Sequence, residues 1–450
     1  MGDLTTSSRR GGAAGGRLAR IALGGPAGRE FAKLWCASAV SGAGDGTALT
    51  AGPLLAFTLT RDPRLIAGVT AALTLPYLLF SLPAGVLIDR VDRRRAMARV
   101  DAFRAVLLAG FTVLVITHAV GLLALYACFF LIGTCETFFR NSSQTLIPQV
   151  VGREALPLAN GRMMGAEIVM NEFAGPMTGG LLFSIAPPVP FGIDAASFAV
   201  SSALLSWLRP PPELQPPRTG PRPPVSGRAL LAELAAGLRV LWRHRILRSM
   251  ALIAGVINLV TYGILGVLVV FARKNLHLST TDYGLLLGAA AAGGLIASRF
   301  GPAVLRKIGY EPALLLAIAL QSGSFLVIFL TSNPLLVAAM LAVSSLGMVQ
   351  WNVIAVLLRQ TMAPHEVLGR VNGVYRFIAW GTLPVGAISG GFLAHEFGVR
   401  SVFSTAAIAL AVVLIYLVRV ALRREISAAA SSQAQDAGDA AAEGNAQVTP

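Results

Sequence analysis

Charge is what this sequence has least of. Only 13% of its 450 residues are Asp, Glu, Lys or Arg, against about 25% in an average soluble domain. A soluble chain of this length would need a charged surface around its core, and there is too little charge here to make one. Cysteine is also scarce. Cys36, Cys128 and Cys135 are odd in number, lie in or beside apolar stretches and form no C-x-x-C, which excludes a disulfide framework or a zinc site. The five histidines, at 118, 244, 277, 365 and 395, have no ligand spacing, and the sequence contains neither G-x-x-x-x-G-K-[ST] nor H-E-x-x-H. No nucleotide loop, metal site, cofactor or catalytic residue is therefore expected, and a membrane enzyme or receptor finds little support. Acidic residues are the scarcer sign, 22 against 37 basic, for a net charge of +15. That balance alone would allow nucleic acid as a partner; where the charges fall argues against it.

What the chain has in abundance is apolar sequence, 55% of all residues with a mean hydropathy of +0.68. A spanning helix needs about 20 mostly apolar residues. Twelve such stretches are predicted, at 33–58, 65–88, 98–117, 119–138, 159–185, 189–208, 249–271, 282–305, 312–331, 333–358, 372–394 and 401–420. The first is the weakest in hydropathy, being full of Ala, Gly, Ser and Thr around Asp45; small residues suit close helix packing in lipid. If the N-terminus is cytoplasmic, 30 of the 37 basic residues fall on the cytoplasmic segments and 5 on the external loops, with Arg104 and Arg376 inside spans. This is the asymmetry that orients membrane proteins, and a shifted span count would scramble it. An inner or plasma membrane protein with both termini cytoplasmic is expected. Residues 1–30, rich in Gly, Ala and Arg, are too poor in apolar residues for a signal peptide. They and the tail from about 421 to 450 are expected to be disordered.

The chain divides in its middle. Residues 209–248 begin with a proline-rich stretch, Pro210-Pro211-Pro212 through Pro223-Pro224, expected to be extended. An amphipathic stretch follows, with Leu230, Leu231, Leu234, Leu238, Leu241 and Trp242 among arginines, suited to a membrane surface. The expected fold class is thus all-α, twelve transmembrane helices as two pseudo-symmetric six-helix bundles over 31–208 and 249–420. The halves echo each other. Gly85-x-x-x-Asp89-Arg90 matches Gly294-x-x-x-Ser298-Arg299 at an offset of 209, and Arg162, Gly165 and Pro176 match Arg370, Gly373 and Pro384 at an offset of 208. Two motifs at nearly one offset point to an internal duplication.

Gly85-Val86-Leu87-Ile88-Asp89-Arg90-Val91-Asp92-Arg93-Arg94-Arg95 resembles the signature loop G-x-x-x-D-R-x-G-R-R of the major facilitator superfamily, with Asp92 in place of the second glycine. Ser41-Gly42-Ala43-Gly44-Asp45, Asp101-x-x-Arg104, Pro148, Gly369-Arg370, Tyr375-Arg376 and Trp380-Gly381 are similar to the branch of enterobactin exporters and macrolide efflux proteins. Gly175-Pro176-Met177-Thr178-Gly179-Gly180 resembles the end of the antiporter motif of superfamily exporters, though Asn171 and Arg162 stand where upstream glycines belong. The resemblance implies a secondary active transporter, exporting a small amphipathic compound (a drug, siderophore or other secondary metabolite) in exchange for protons. An importer or facilitator on the same fold is the alternative. A monomer is expected, with the bilayer, a small-molecule substrate and protons as its partners and no nucleic acid.

Gly85, Asp89 and Arg90 read as a charged latch at the inner membrane edge, while Arg93 and Arg94 serve equally well as topology markers. Pro176 frees a backbone carbonyl and kinks its helix. A carboxylate near the bilayer centre costs about 3 kcal/mol on insertion scales, so such residues have a reason to be there. Asp45, midway along span 1, can bind a proton from one side and release it to the other, or be a hydrogen-bonded structural acid. Glu172 is a cavity candidate. Glu167 stands five residues before it, about 140° around an α-helix, and is expected to face elsewhere. Glu136 is placed at the cytoplasmic end of span 4. Asp101 and Arg104, three apart, form a charge pair on one face. Arg376 balances a buried carboxylate or holds an anionic substrate. Asn258 and Asn352 line the cavity or bond neighbouring helices. Asn141-Ser142-Ser143, a glycosylation sequon, falls in a cytoplasmic loop and is discounted.

Overall fold

The computed structural model describes residues 26–88, 91–211, 241–362 and 368–422, together with 214, 235, 238 and 239. The tails, Asp89, Arg90, most of the proline-rich stretch and most of the amphipathic linker lie outside these residues. Among the described residues the secondary structure is entirely helical. The helices are α1 Pro26–Leu59, α2 Pro63–Ile88, α3 Arg93–Ile116 and α4 Leu122–Val150. Next come α5, in three parts (Leu156–Ala166, Glu167–Ala174 and Gly175–Ile185), and α6 Val189–Trp207. The remainder are α7 Arg245–Val270, α8 Thr280–Ile308, α9 Tyr310–Leu330, α10 Pro334–Met362, α11 Leu368–Phe397 and α12 Arg400–Leu422. Nine stretches among the described residues are both long and apolar enough to cross a membrane. Helices α1, α3 and α5 are not among them. The causes differ: α3 carries Arg93, Arg94, Arg95, Arg99, Asp101 and Arg104, α1 is rich in Gly and polar groups, and α5 is broken into parts of 11, 8 and 11 residues.

The ends of the helices follow local chemistry. Asp92, the residue that departs from the superfamily loop pattern, caps α3: its carboxylate accepts from the Arg95 N–H at 3.1 Å. That satisfies a helix-end donor and gives a reason for Asp where glycine is usual. Asp62 does the same for α2, accepting from the Arg64 N–H at 2.9 Å. Gly309 and Gly398 take φ +82° and +83° between α8 and α9 and between α11 and α12, a left-handed conformation that suits glycine.

Two compact units emerge. The first holds residues up to Leu55, Leu79–Val225 and the start of α8, Thr280–Leu285. Within it α1 packs on α5 through glycines. A Cβ on Gly175 would sit 2.6 Å from the Gly46 Cα, and one on Gly179 would sit 2.6 Å from the Thr47 carbonyl oxygen. Gly42-x-x-x-Gly46 and Gly175-x-x-x-Gly179 are the small-residue spacing that lets helix backbones meet in lipid. Helix α3 packs along α6, where Phe111 and Phe191 meet edge-on at 5.1 Å. At the α3 N-terminus, Arg94 donates to the Leu208 carbonyl at 2.6 Å, and Lys33 to the Trp207 carbonyl at 3.1 Å. Cations thus cover the bare carbonyls at the end of α6. Glu30 joins this corner through Lys33 and the Arg209 N–H, at 2.7 and 2.6 Å. Burial works to raise its pKa, but these hydrogen bonds hold it below the usual carboxylate value.

The second unit holds Ala56–Leu78, Ser226–Ser279 and Leu286 onward. It repeats the same pairings. Helix α7 meets α11 backbone to backbone, a Cβ on Gly390 lying 2.6 Å from the Gly263 Cα, and α9 packs along α12 and α10. First helix on fifth and third on sixth is thus common to both sets, as the sequence offsets predict. The first part of α2, up to Leu78, belongs to this unit, with Ala67 against Gly266 and Gly391 and Tyr77 edge-on to Trp380 at 5.5 Å. One difference between the repeats is local. Glu167–Ala174, upstream of Pro176, is a π-helix, whereas α11 stays α-helical ahead of its matching Pro384.

Candidate functional site

The first unit holds an open cavity of about 300 Å³. Polar groups line one part of it: Asp45, Glu136, Arg140, Glu167, Asn160 and Asn171. Phe139, Ile147, Met163 and Met164 supply an apolar part. Behind it runs a line of alternating charge. Arg104 is fully buried and donates to Glu136 at 2.7 Å, with Asp101 at 3.7 Å. Glu136 takes a second arginine, Arg140, at 2.5 Å, and Arg140 reaches Glu167 at 2.6 Å. Asp101 also accepts from the Ser201 hydroxyl at 2.6 Å. The Arg104 guanidinium lies over the rings of Phe198 and Phe139, 4.9 and 5.5 Å from their centroids. Ion pairs and ring faces together replace the water that this buried cation has lost.

The expected Asp101–Arg104 pair is present, but as one link of a longer chain. Glu136 sits at the middle of α4 rather than at its end, because the helix runs on to Val150. The extension carries Arg140 and the Asn141-Ser142-Ser143 sequon on a helix, where the sequence suggested a loop. Asp45 stands between Gly44 and Gly46 of α1 and faces the cavity. Among the described residues no hydrogen bond or ion pair to it is found, although Glu136, Arg104, Asp194 and Asp101 are close enough to act on it electrostatically.

The expectation for Glu167 and Glu172 needs correction. It assumed an α-helix, and this stretch is π-helical. A π turn closes its hydrogen bond on the fifth residue and holds more residues per turn than an α-helix, so residues five apart come to the same side of the helix. Glu167 and Arg140 both act on Glu172, which is exposed on the same segment. The π stretch ends just before Pro176, which has no N–H to give to the preceding turn, and the Gly175 N–H bonds back five residues to the Met170 carbonyl.

The remaining candidates lie elsewhere. Gly85 is in the last turn of α2, and its partners Asp89 and Arg90 are outside the described residues. Arg93 and Arg94 open α3. Gly175, Pro176, Gly179 and Gly180 form the α5 face that meets α1 and the start of α8; a Cβ on Gly180 would lie 2.9 Å from the Gly284 Cα. In the second unit, Asn258 donates to the Ala379 carbonyl at 2.7 Å, a helix-to-helix bond. Arg376 lies over the Trp380 ring at 4.2 Å, and Asn352 is exposed on α10. One residue escaped the reading of the sequence. Asp194 is a fully buried acid in α6, and its signal was plain: a carboxyl within a predicted span.

The matching family profile is the transmembrane secretion effector family, covering residues 26–444. The chain belongs to this family of the major facilitator superfamily. Among named relatives, the multidrug efflux pump Tap of Mycolicibacterium fortuitum is 28% identical over 403 residues, covering 86% of this chain and 94% of the relative. The enterobactin exporter EntS of Citrobacter koseri is 28% identical over 308 residues, covering 65% and 67%. Solved structures share the fold. A bacterial homologue of the iron transporter ferroportin, inward-facing, has a TM-score of 0.68 at 15% identity, covering 87% of this chain and 98% of that one. The nucleoside transporter NupG has a TM-score of 0.65 at 13% identity, covering 87% and 98%. The protein is therefore a multi-pass membrane transporter of the major facilitator fold.

Proposed function

We propose that this chain exports a small amphipathic compound from the cell in exchange for protons, by alternating access across the inner or plasma membrane with both tails cytoplasmic. The observation that carries the proposal is Asp45: a carboxyl on the cavity wall, in a low-dielectric setting, with no ion pair among the described residues. The nearby arginines already serve other acids. Arg104 is held by Glu136 and Asp101, and Arg140 by Glu136 and Glu167. When Asp45 ionises it competes for Arg104, and when it takes a proton the competition ends. Binding or losing one proton thus changes the pull between α1 and the α3–α4 pair.

The family description and the efflux names of Tap and EntS support export, and the mixed lining of the cavity suits an amphipathic molecule. One charge moving through 100 mV supplies about 2.3 kcal/mol, enough to drive an exporter that cycles one or two protons. In inverted membrane vesicles, the wild-type protein is expected to accumulate substrate when a proton gradient is applied. Asp45→Asn should abolish this accumulation while reaching the membrane in normal amount. Normal accumulation with normal proton release by that variant would remove Asp45 from the mechanism. Uptake by whole cells with none in inverted vesicles would make the protein an importer.

A further inference from the structure

The buried charge in the first unit does not balance. Among the described residues, Asp45, Asp101, Glu136 and Asp194 have Arg104 and Arg140 as the arginines near them, so full ionisation would leave two uncompensated negative charges. An isolated ion in such surroundings is very costly, and the usual outcome is that the group gives up its charge. Two of these four acids, Asp101 and Glu136, have an arginine in contact. The two without one are Asp45 and Asp194.

Asp194 is only 1% exposed. Its Oδ1 accepts from the Ser197 hydroxyl at 3.1 Å, and its Oδ2 has no hydrogen-bond partner among the described residues. The carboxyl lies against α1 at Gly44, the residue before Asp45. A Cβ on Gly44 would collide with the Asp194 Oδ1 and the Ser197 side chain. Gly44 therefore leaves a hole in α1, and the Asp194 carboxyl fills it. The charged or titratable groups around Asp194 are Asp45 from α1, Asp101 and Arg104 from α3, and Cys128 and Glu136 from α4.

We propose that Asp194 is a second proton-carrying residue of the transport cycle, exchanging its proton with the Asp45 side of the cavity at Gly44. The inference rests on the proton-coupled reading above. In the exchange one carboxyl gains the proton that the other loses, so the charge of the cluster changes only when the cavity exchanges a proton with water. The unpartnered Oδ2 is where the proton sits. The arrangement gives the cluster room for two protons, where Asp45 alone would hold one.

The test is infrared difference spectroscopy of the purified full-length protein in proteoliposomes, taken between acidic and alkaline buffer. Buried carboxyl groups that titrate give a C=O stretch present only in the acidic state. Wild type is expected to show contributions from both acids, one lost in Asp45→Asn and the other in Asp194→Asn. Asp194→Glu should restore a band at a shifted frequency. Gly44→Ala, which displaces the carboxyl without removing it, should shift the pH at which that band disappears. If Asp194→Asn is not monodisperse, the Asp194→Glu and Gly44→Ala spectra decide. A difference spectrum that none of the Asp194 and Gly44 variants alters would overturn the proposal, because a merely structural acid does not titrate. Loss of the Asp45 contribution is read separately, so failure of the coupling reading at Asp45 is distinguishable from failure of this one.

Discussion

Arg104 shows how much one side chain can be asked to hold. It is a fully buried cation whose charge is answered by Glu136 and Asp101 and whose flat faces lie against Phe198 and Phe139. Removing one partner of a buried pair costs about 3–5 kcal/mol, because the remaining charge is left uncompensated. Arg104→Met is expected to lose a stability of this order in detergent melts; a loss under about 1 kcal/mol would show that Arg140 alone suffices for the local acids. A second residue-scale effect lies outside the spans. The Arg64 side chain donates to Asp62, and together with the Arg64 N–H and the nearby His395 it holds the Asp62 carboxyl down to about 2. A depressed carboxylate stabilises the fold in full above its unfolded value and loses that contribution as pH falls through its folded value. Melting temperatures of wild type and Asp62→Asn should therefore differ near neutral pH and converge as pH drops from about 4 toward 2. A constant gap across that range would show that the carboxyl charge is not what matters.

At the scale of the element, what counts is which helix faces can touch. Helices α1 and α5 approach so closely at Gly46, Gly175 and Gly179 that any side chain there must push the backbones apart. The same approach holds Asp45 on α1 beside the π-helical part of α5 that presents Glu167. Gly179→Leu, whose Cβ would start 2.6 Å from the Thr47 carbonyl oxygen, is expected to stop the protein from accumulating as a monodisperse species. Gly110→Leu on α3, with nothing within 4 Å, should be tolerated. Fluorescence-detected size exclusion compares the two; equal behaviour would mean that the α1–α5 contact can relax. Overpacking costs of about 1–3 kcal/mol are usual in tight cores, and contact with backbone leaves little to yield.

For the whole molecule, the basic residues predict which connections share a side of the membrane. Single-cysteine variants test this in a chain whose Cys36, Cys128 and Cys135 are replaced. Ala119→Cys, exposed between α3 and α4, should react with a membrane-impermeant maleimide in intact cells. Asp92→Cys, exposed between α2 and α3, should react only after permeabilisation. The reverse pattern would invert the topology, and identical labelling of both would refute an odd number of crossings between them. The outcome matters for mechanism, because it fixes which side of the membrane Asp45 and its cavity face.

Hydropathy and charge placement are local properties, so the sequence by itself determined the helices, their order and, through the repeated motifs, the kinship of the two sets of six. Predicted and observed bounds of α2, α5, α6 and α12 differ by at most three residues at either end. The Asp101–Arg104 pair was legible for the same reason, being one turn apart on one helix. What the tertiary structure alone decided is which distant residues share a neighbourhood. Glu136 meets Arg104 across 32 residues of chain, Ser201 meets Asp101 across 100, and the Asp194 carboxyl settles into the gap that Gly44 leaves in α1. Helix type was decided there as well. Pro176 announced a kink, but the π-helical stretch upstream of it, which brings Glu167 and Glu172 back to one side, is visible only in the folded chain. A buried charge depends for its meaning on its partners, and partners are set by packing across helices rather than by position along one.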